Sequence, residues 1–197
     1  MKKNKTYILA SGSPRRIEIM HSHGIEPIIH PASIEENIPP KNGMCQTVMF
    51  LALKKAKAVE AEVLRESAIP AEDAPVIIAG DTIVYKDEIM GKPENREDAY
   101  RMLTKLKNDY HYVVTGCALV EAGRQNARVF AEITKVFVKD LTEEDLNAYL
   151  DTDEPYDKAG AYAIQGIFSK HIDHIEGDYD NVVGFPWSRI EKELELL

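Results

Sequence analysis

The sequence predicts an α/β protein: a mixed β-sheet with helices outside it and a cleft where strand ends meet loops. Three observations carry this. Short apolar runs bounded by turn residues occur at Tyr7-Ile8-Leu9-Ala10 and Val76-Ile77-Ile78-Ala79. Segments with apolar residues at i, i+3 and i+4, the period of a helix packed on one face, separate such runs. His111 to Glu121 and Ala127 to Val138 flank the turn-forming Ala122-Gly123-Arg124-Gln125-Asn126, the mark of a long hairpin.

Taken in order, the first run leads into Ser11-Gly12-Ser13-Pro14-Arg15-Arg16. Ser13 then Pro14 reads as a helix N-cap followed by proline at the first helical position. That helix runs to about Ser22, with Gly24 as its stop. Ile25 to His30 reads as a second strand, and Pro31 to Gly43, with Pro39-Pro40 and the acidic pair Glu35-Glu36, as a loop. Gln46 to about Leu64 is helical, with Val48, Leu51, Ala52, Lys55, Ala56 and Val59 in register, and Pro70 to Pro75 breaks the pattern. Val76 to Ala79 is apolar without alternation, as in a strand buried on both faces. It ends at Gly80-Asp81-Thr82, Ile83-Val84-Tyr85 continues it, and Lys86-Asp87 turns. A helix near Asn95 to Lys107 follows, capped by Asn95, with Ala99, Met102, Leu103 and Leu106 inward. After the hairpin, Thr142 caps a helix ending near Leu150, with acids in its first turn where the dipole favours them. Gly160 to Gln165 and Phe168 to Ile175 read as strands, and Trp187 to Leu197 as a last helix.

A chain of 197 residues with 44% hydrophobic and 29% charged residues buries a sizeable core and is not disordered. Its net charge of −9 argues against a main role on nucleic acid or an anionic membrane, so any anion site must be local. No apolar stretch approaches the about 20 residues of a membrane span. The basic Met1-Lys2-Lys3-Asn4-Lys5 is not followed by the apolar region of a signal peptide. Cys45 and Cys117 form no metal or redox spacing and read as free thiols in a reducing cytoplasm. His21 and His23 do not share a helix face, and His171 and His174 point opposite ways on a strand, which disfavours zinc.

Arg15 and Arg16 stand in a first helical turn, where the backbone's positive end disfavours cations. One reading is a solvated turn with Glu18 and Glu26 as partners. The other is a phosphate clamp, because Ser11 and Ser13 add hydroxyls, the free helix amides point the same way, and a guanidinium donates two hydrogen bonds at once. No G-x-x-x-x-G-K-[ST] loop occurs, which disfavours a kinase. Asp81, at the end of a buried strand, needs a partner or a metal unless it is a turn or cap residue. Glu35-Glu36, Lys55, Lys92 and Lys158 each have a plain surface reading; Lys92 stands out because Gly91 and Pro93 fix the backbone around it.

"ASGSPRRIEIM", the "EE" of the following loop, "LALKKAKAV", "GDTIVYKDEIMGKP", "HYVVTGCAL", "DKAGAYAIQG" and "GDYDNVVGFP" occur in this order. Together they resemble the Maf family of nucleoside triphosphate pyrophosphatases, once described as septum-formation inhibitors, and "DKAGAYAIQG" resembles the branch acting on dTTP and UTP. The resemblance runs from about Tyr7 to the last helix and implies one domain over residues 1–197. It also implies a two-lobed, inosine triphosphate pyrophosphatase-like fold with a central cleft, a divalent cation (Mg²⁺, Mn²⁺ or Co²⁺) and a homodimer. By the same resemblance Ser11, Arg15 and Arg16 form the phosphate-binding turn. Glu36 falls at the catalytic glutamate, Lys55 and Lys92 at catalytic lysines, and Asp81 at the proton acceptor. Thr82 falls at a specificity position, Lys158 at a substrate-binding one, and Gln165 at the residue tied to base choice. Gly80 and Phe185 depart from the family's usual alanine and leucine without removing a chemical group.

The implied reaction sends water to the α-phosphorus while pyrophosphate leaves. Arg15, Arg16, Lys55 and Lys92 offset the substrate's charge; Glu36 and Asp81 supply metal-binding carboxylates, with Asp81 open to a role as base, ligand or both. The Gln165 amide matches the O4/N3–H edge of uracil or thymine, whose donor pattern cytosine reverses. The competing class is a nucleotide-binding regulator of cell division that does not hydrolyse.

Overall fold

The computed structural model describes residues 5–37, 43–66 and 74–197. The basic start at 1–4, the Pro39-Pro40 pair and most of the break that begins at Pro70 lie outside the described residues.

Seven strands and six α-helices follow one another as β1 (Tyr7–Leu9), α1 (Pro14–Ser22), β2 (Ile28–Ile29), α2 (Met44–Glu66), β3 (Val76–Lys86), β4 (Glu88–Met90), α3 (Arg96–Leu106), β5 (Tyr110–Glu121), β6 (Ala127–Val138), α4 (Glu143–Leu150), β7 (Ile172–Glu176), α5 (Tyr179–Val183) and α6 (Trp187–Glu195) among the described residues. The sheet order is β2-β1-β3-β5-β6-β7, with β4 beside β3. It is mixed, as the sequence predicts: β1 runs parallel to β2 and β3, whereas β3–β4 and β6–β7 are antiparallel.

The chain divides into two compact units. The first comprises Met1–Asp81, Thr115–Glu132 and Gly184–Leu197. Its strands β1, β3 and β5 are buried on both faces because successive residues serve different cores. Leu9, Val76, Ile78, Cys117 and Leu119 pack with Met20 of α1 and with Trp187, Ile190 and Leu194 of α6. Ile8, Ile77, Ala79, Ala118 and Val120 pack with Ala52, Ala56 and Val59 of α2. This two-sided burial removes the alternation from Val76-Ile77-Ile78-Ala79.

The second unit comprises Thr82–Val114 and Ile133–Val183. Here Val84, Val113, Val136 and Val138 form one core with Ala99, Met102, Leu103 and Leu106 of α3 and Leu146, Tyr149 and Leu150 of α4. The helix starts follow the sequence reading. Asn95 accepts the Asp98 N–H at 2.9 Å, and Thr142 with Asp145 forms a reciprocal capping box.

Several elements differ from the sequence reading. The second strand shrinks to Ile28–Ile29 at the sheet edge, and β4 and the short α5 carry no strong sequence pattern. Gly160 to Gln165 is not a strand, because Gly160 and Ala161 take φ of +70° and +60°. A Cβ at Gly160 would stand 2.7 Å from Val84 Cγ2, so glycine is needed for space as well. Phe168 to Ile175 is a strand only from Ile172, because Ile167–His171 forms a 3₁₀ helix.

Candidate active site

The first unit gathers its functional side chains from the end of β1, the start of α1 and the middles of α2 and β3. Ser13 is the N-cap residue and Pro14 opens the helix, as the sequence predicts, but the Ser13 side chain makes no cap hydrogen bond. Ser11 organises the turn instead: its Oγ accepts the Ser13 N–H at 3.2 Å and the Arg16 NH1 at 3.1 Å. Arg16 also donates from NH1 to the Gly80 carbonyl at 2.8 Å and from Nε to the Gly184 carbonyl at 2.9 Å. These oxygens hold a cation at a helix end that would repel it. A Cβ at Gly80 would lie 3.2 Å from Arg16 Cζ, so Gly80 leaves room for the guanidinium.

Burial pulls the Arg16 pKa below its ordinary value, and negative neighbours oppose that. The Cys117 thiol, pushed up to about 12 by burial, stays neutral, so the charges that act near neutral pH are the carboxylates of Asp81 and Glu36. Arg15, half-buried, makes no hydrogen bond or ion pair among the described residues. Arg15 does not use the expected partners Glu18 and Glu26 there; Glu26 lies 3.2 Å from His21 Nε2.

Lys55 is delivered by α2. A Cβ at Gly116 of β5 would fall 2.3 Å from the Val48 carbonyl carbon, so the helix backbone rests directly on the strand. Lys55 follows about two helical turns later on the same face. Its Nζ stands 2.7 Å from Asp81 Oδ1 and 2.7 Å from Glu36 Oε1. The loop that carries Glu36 is tied to the same helix by Lys54 Nζ, which donates to the Glu35 carbonyl at 2.6 Å. Asp81 is only 7% exposed. Burial raises its pKa, while Lys55 and then Arg16 hold it down and Glu36 adds slightly to the rise. The cost of a buried carboxylate is thus offset by one ammonium shared with a second, exposed carboxylate.

Among the described residues no group of three or more His, Cys, Asp or Glu side chains is placed to hold a metal ion. The available donor set is therefore the Glu36 and Asp81 pair, drawn to one cationic point. Carboxylate oxygens suit Mg²⁺ or Mn²⁺, which take one or two carboxylates together with substrate phosphates, so the donor chemistry fits such an ion.

Structure thus brings Ser11, Arg16, Glu36, Lys55 and Asp81 into one constellation, with Arg15 in the same turn. The remaining expected residues belong to the second unit. Thr82 follows Asp81 on β3 and alternates to the other strand face. Lys92 is exposed on the segment after β4, and the Gly91 carbonyl before it accepts the Gly160 N–H at 3.0 Å. Lys158 pairs with its neighbour Asp157. Gln165 is exposed and makes no hydrogen bond among the described residues. Sequence reasoning missed Lys54, Gly116 and the Gly184 carbonyl. The doubled lysine of "LALKKAKAV" was the only local signal for any of them.

The fold is that of a known class. A HAM1 protein from Coxiella burnetii superposes with a TM-score of 0.54 at 11% identity, covering 98% of this chain and 100% of that one, a likeness of fold alone. A family model described as Maf-like protein matches residues 6–197, so the chain belongs to the Maf-like family. Among its relatives, a dTTP/UTP pyrophosphatase of Caldicellulosiruptor bescii is 40% identical over 194 residues, 98% of this chain and 95% of the relative. Proteins of the same name from Agathobacter rectalis and a Geobacillus species are each 42% identical, covering 96% and 98% of this chain and the same shares of their own.

Proposed function

We propose that this chain hydrolyses dTTP and UTP to the nucleoside monophosphate and pyrophosphate with a divalent cation. The observation that carries this is the Lys55 ammonium held between Asp81 and Glu36 at 2.7 Å from each; the relatives' shared name supplies the substrate class. Water adds to the α-phosphorus, the bond to the bridging oxygen of pyrophosphate breaks, and the water's proton passes to Asp81. Burial raises the Asp81 pKa and makes it a stronger base than an exposed aspartate. Lys55 offsets the repulsion between the two carboxylates and the incoming phosphates. Arg15, without a protein partner among the described residues, is the cation best placed to receive a phosphate oxygen, and Arg16 fixes the turn that presents it. Glu36 and Asp81 would hold the cation, which supplies charge neutralisation and a more acidic water.

In the second unit, Lys92 and Lys158 offer further cations and Thr82 a hydroxyl. The exposed Gln165 amide matches the O4/N3–H edge of uracil and thymine. A homodimer in a reducing cytoplasm is the proposed setting, from the resemblance and the free Cys45 and Cys117. The test is pyrophosphate release from each nucleoside triphosphate with Mg²⁺ or Mn²⁺. Turnover highest on dTTP and UTP is expected. Tight calorimetric binding without product would favour the non-hydrolysing regulator, and silence throughout would end both.

A further inference from the structure

Resting on the reading of Gln165 as the base-selecting residue, we infer that Glu154 is a positioning residue for pyrimidine choice, its carboxylate fixing the turn that aims the Gln165 amide. Glu154 Oε2 accepts the Ile167 N–H at 2.8 Å and Oε1 accepts the Phe168 N–H at 3.3 Å. The Tyr149 hydroxyl, itself rooted in the core, donates to Oε1 at 3.0 Å. A Cβ at Gly166 would lie 2.1 Å from Glu154 Oε2. Gly166 has a φ of −101°, open to any residue, so the glycine is there for the carboxylate and not for its backbone angle.

The other side of the turn is also fastened from below. Tyr162 is buried, and its hydroxyl is hydrogen-bonded to His111 Nε2 at 2.6 Å. Ala163 and Ile164 are buried after it, and Phe168 is fully buried beyond it. Between these anchors Gln165, Gly166 and Ile167 reach the surface. Because Gln165 has no hydrogen-bond partner of its own among the described residues, the backbone is what sets where its side chain leaves the turn, and rotation about its own bonds completes the fit to a base. The two charge-assisted bonds that Glu154 accepts from the Ile167 and Phe168 N–H groups therefore fix the position from which the Gln165 amide is presented.

The test compares kcat and KM on UTP and CTP for wild type, Glu154→Gln, Gly166→Ala, Gln165→Ala and the Glu154→Gln/Gln165→Ala pair, with hydrogen exchange of the peptide covering 162–170. Glu154→Gln keeps the shape but turns one acceptor into a donor facing a main-chain N–H. It should cut the UTP-to-CTP ratio of kcat/KM about tenfold, the effect of losing one charged hydrogen bond, chiefly through KM on UTP. Gly166→Ala should do the same by displacing the carboxylate. Both should speed exchange over 162–170 while peptides elsewhere keep wild-type protection, and the double variant should lose no more selectivity than Gln165→Ala. An unchanged ratio, an equal loss on both nucleotides, or additive losses in the double variant would overturn the inference and leave Glu154 a cap residue. If wild type is silent on every pyrimidine triphosphate, or Gln165→Ala keeps the ratio, the underlying reading falls and the selectivity role with it. Exchange would then still report whether the turn loosens, so the two failures can be told apart.

Discussion

The cluster around Asp81 in the first unit and the turn around Gln165 in the second solve opposite problems. Around Asp81 the side chains themselves are locked: Arg16 holds two carbonyls and a hydroxyl, and Lys55 holds two carboxylates. Around Gln165 the backbone is locked, by Glu154 and by the Tyr162–His111 pair, and the exposed amide is left without a partner among the described residues. A group that must carry charge inside a protein needs neighbours that neutralise it before substrate arrives. A group that must read a base needs its own hydrogen bonds unspent and only its direction fixed. Substitutions at the first place should alter turnover and stability, and at the second selectivity.

The strongest way to break that contrast is Asp81→Asn, which keeps the size and removes the base. kcat should fall about a thousandfold, in the upper range for a positioned general base, with substrate binding retained. Near-normal kcat would take Asp81 out of the chemistry. Lys55→Met should follow, with about a hundredfold loss of turnover and a stability loss of about 3 kcal/mol in denaturant melts, because it leaves Asp81 buried without its ammonium. It should also move the acid limb of the kcat–pH profile upward, since burial raises the Asp81 pKa and Lys55 is the main group opposing that rise. A limb that stays or moves down would contradict the assignment.

The same shift sharpens a stability test. A carboxyl whose folded pKa is raised takes up a proton on folding, so its contribution favours the folded state at low pH. That contribution is lost as pH rises from the ordinary aspartate range through the raised value. The stability of wild type relative to Asp81→Asn should therefore decline with rising pH across that window. Smaller effects should separate the paired arginines. Arg16→Ala leaves the Gly80 and Gly184 carbonyls without their donor and should cost about 2 kcal/mol of stability. Arg15→Ala should leave melting unchanged and raise KM about tenfold, as loss of one charged contact to phosphate would. Equal melting losses for both would erase the distinction drawn between them.

The first unit was the more legible in the sequence because its signals are local. A continuous apolar run marks a strand covered on both faces, Ser13-Pro14 marks a helix start, and an aspartate at the end of such a run demands a partner, which proves to be Lys55. The use made of Arg16 was not legible, because the carbonyls it holds lie 64 and 168 residues away and carbonyls carry no sequence identity. In the second unit Gly160 to Gln165 has the apolar content of a strand, yet contact of Gly160 with Val84 and two positive φ angles make it a turn. Glu154 reads as one more loop acid beside a proline; only folding shows it beneath the amides of Ile167 and Phe168.

The account's central claim is that the buried Asp81, held by the ammonium of Lys55, takes the proton of the attacking water in cleavage of a pyrimidine triphosphate. Its most direct test is a single-turnover measurement of pyrophosphate released from UTP by wild type and Asp81→Asn across pH. The account predicts a wild-type rate that rises with pH through one deprotonation above the ordinary aspartate range, and a slow variant that lacks this rise. A variant that keeps the wild-type rate and the same pH dependence would contradict it.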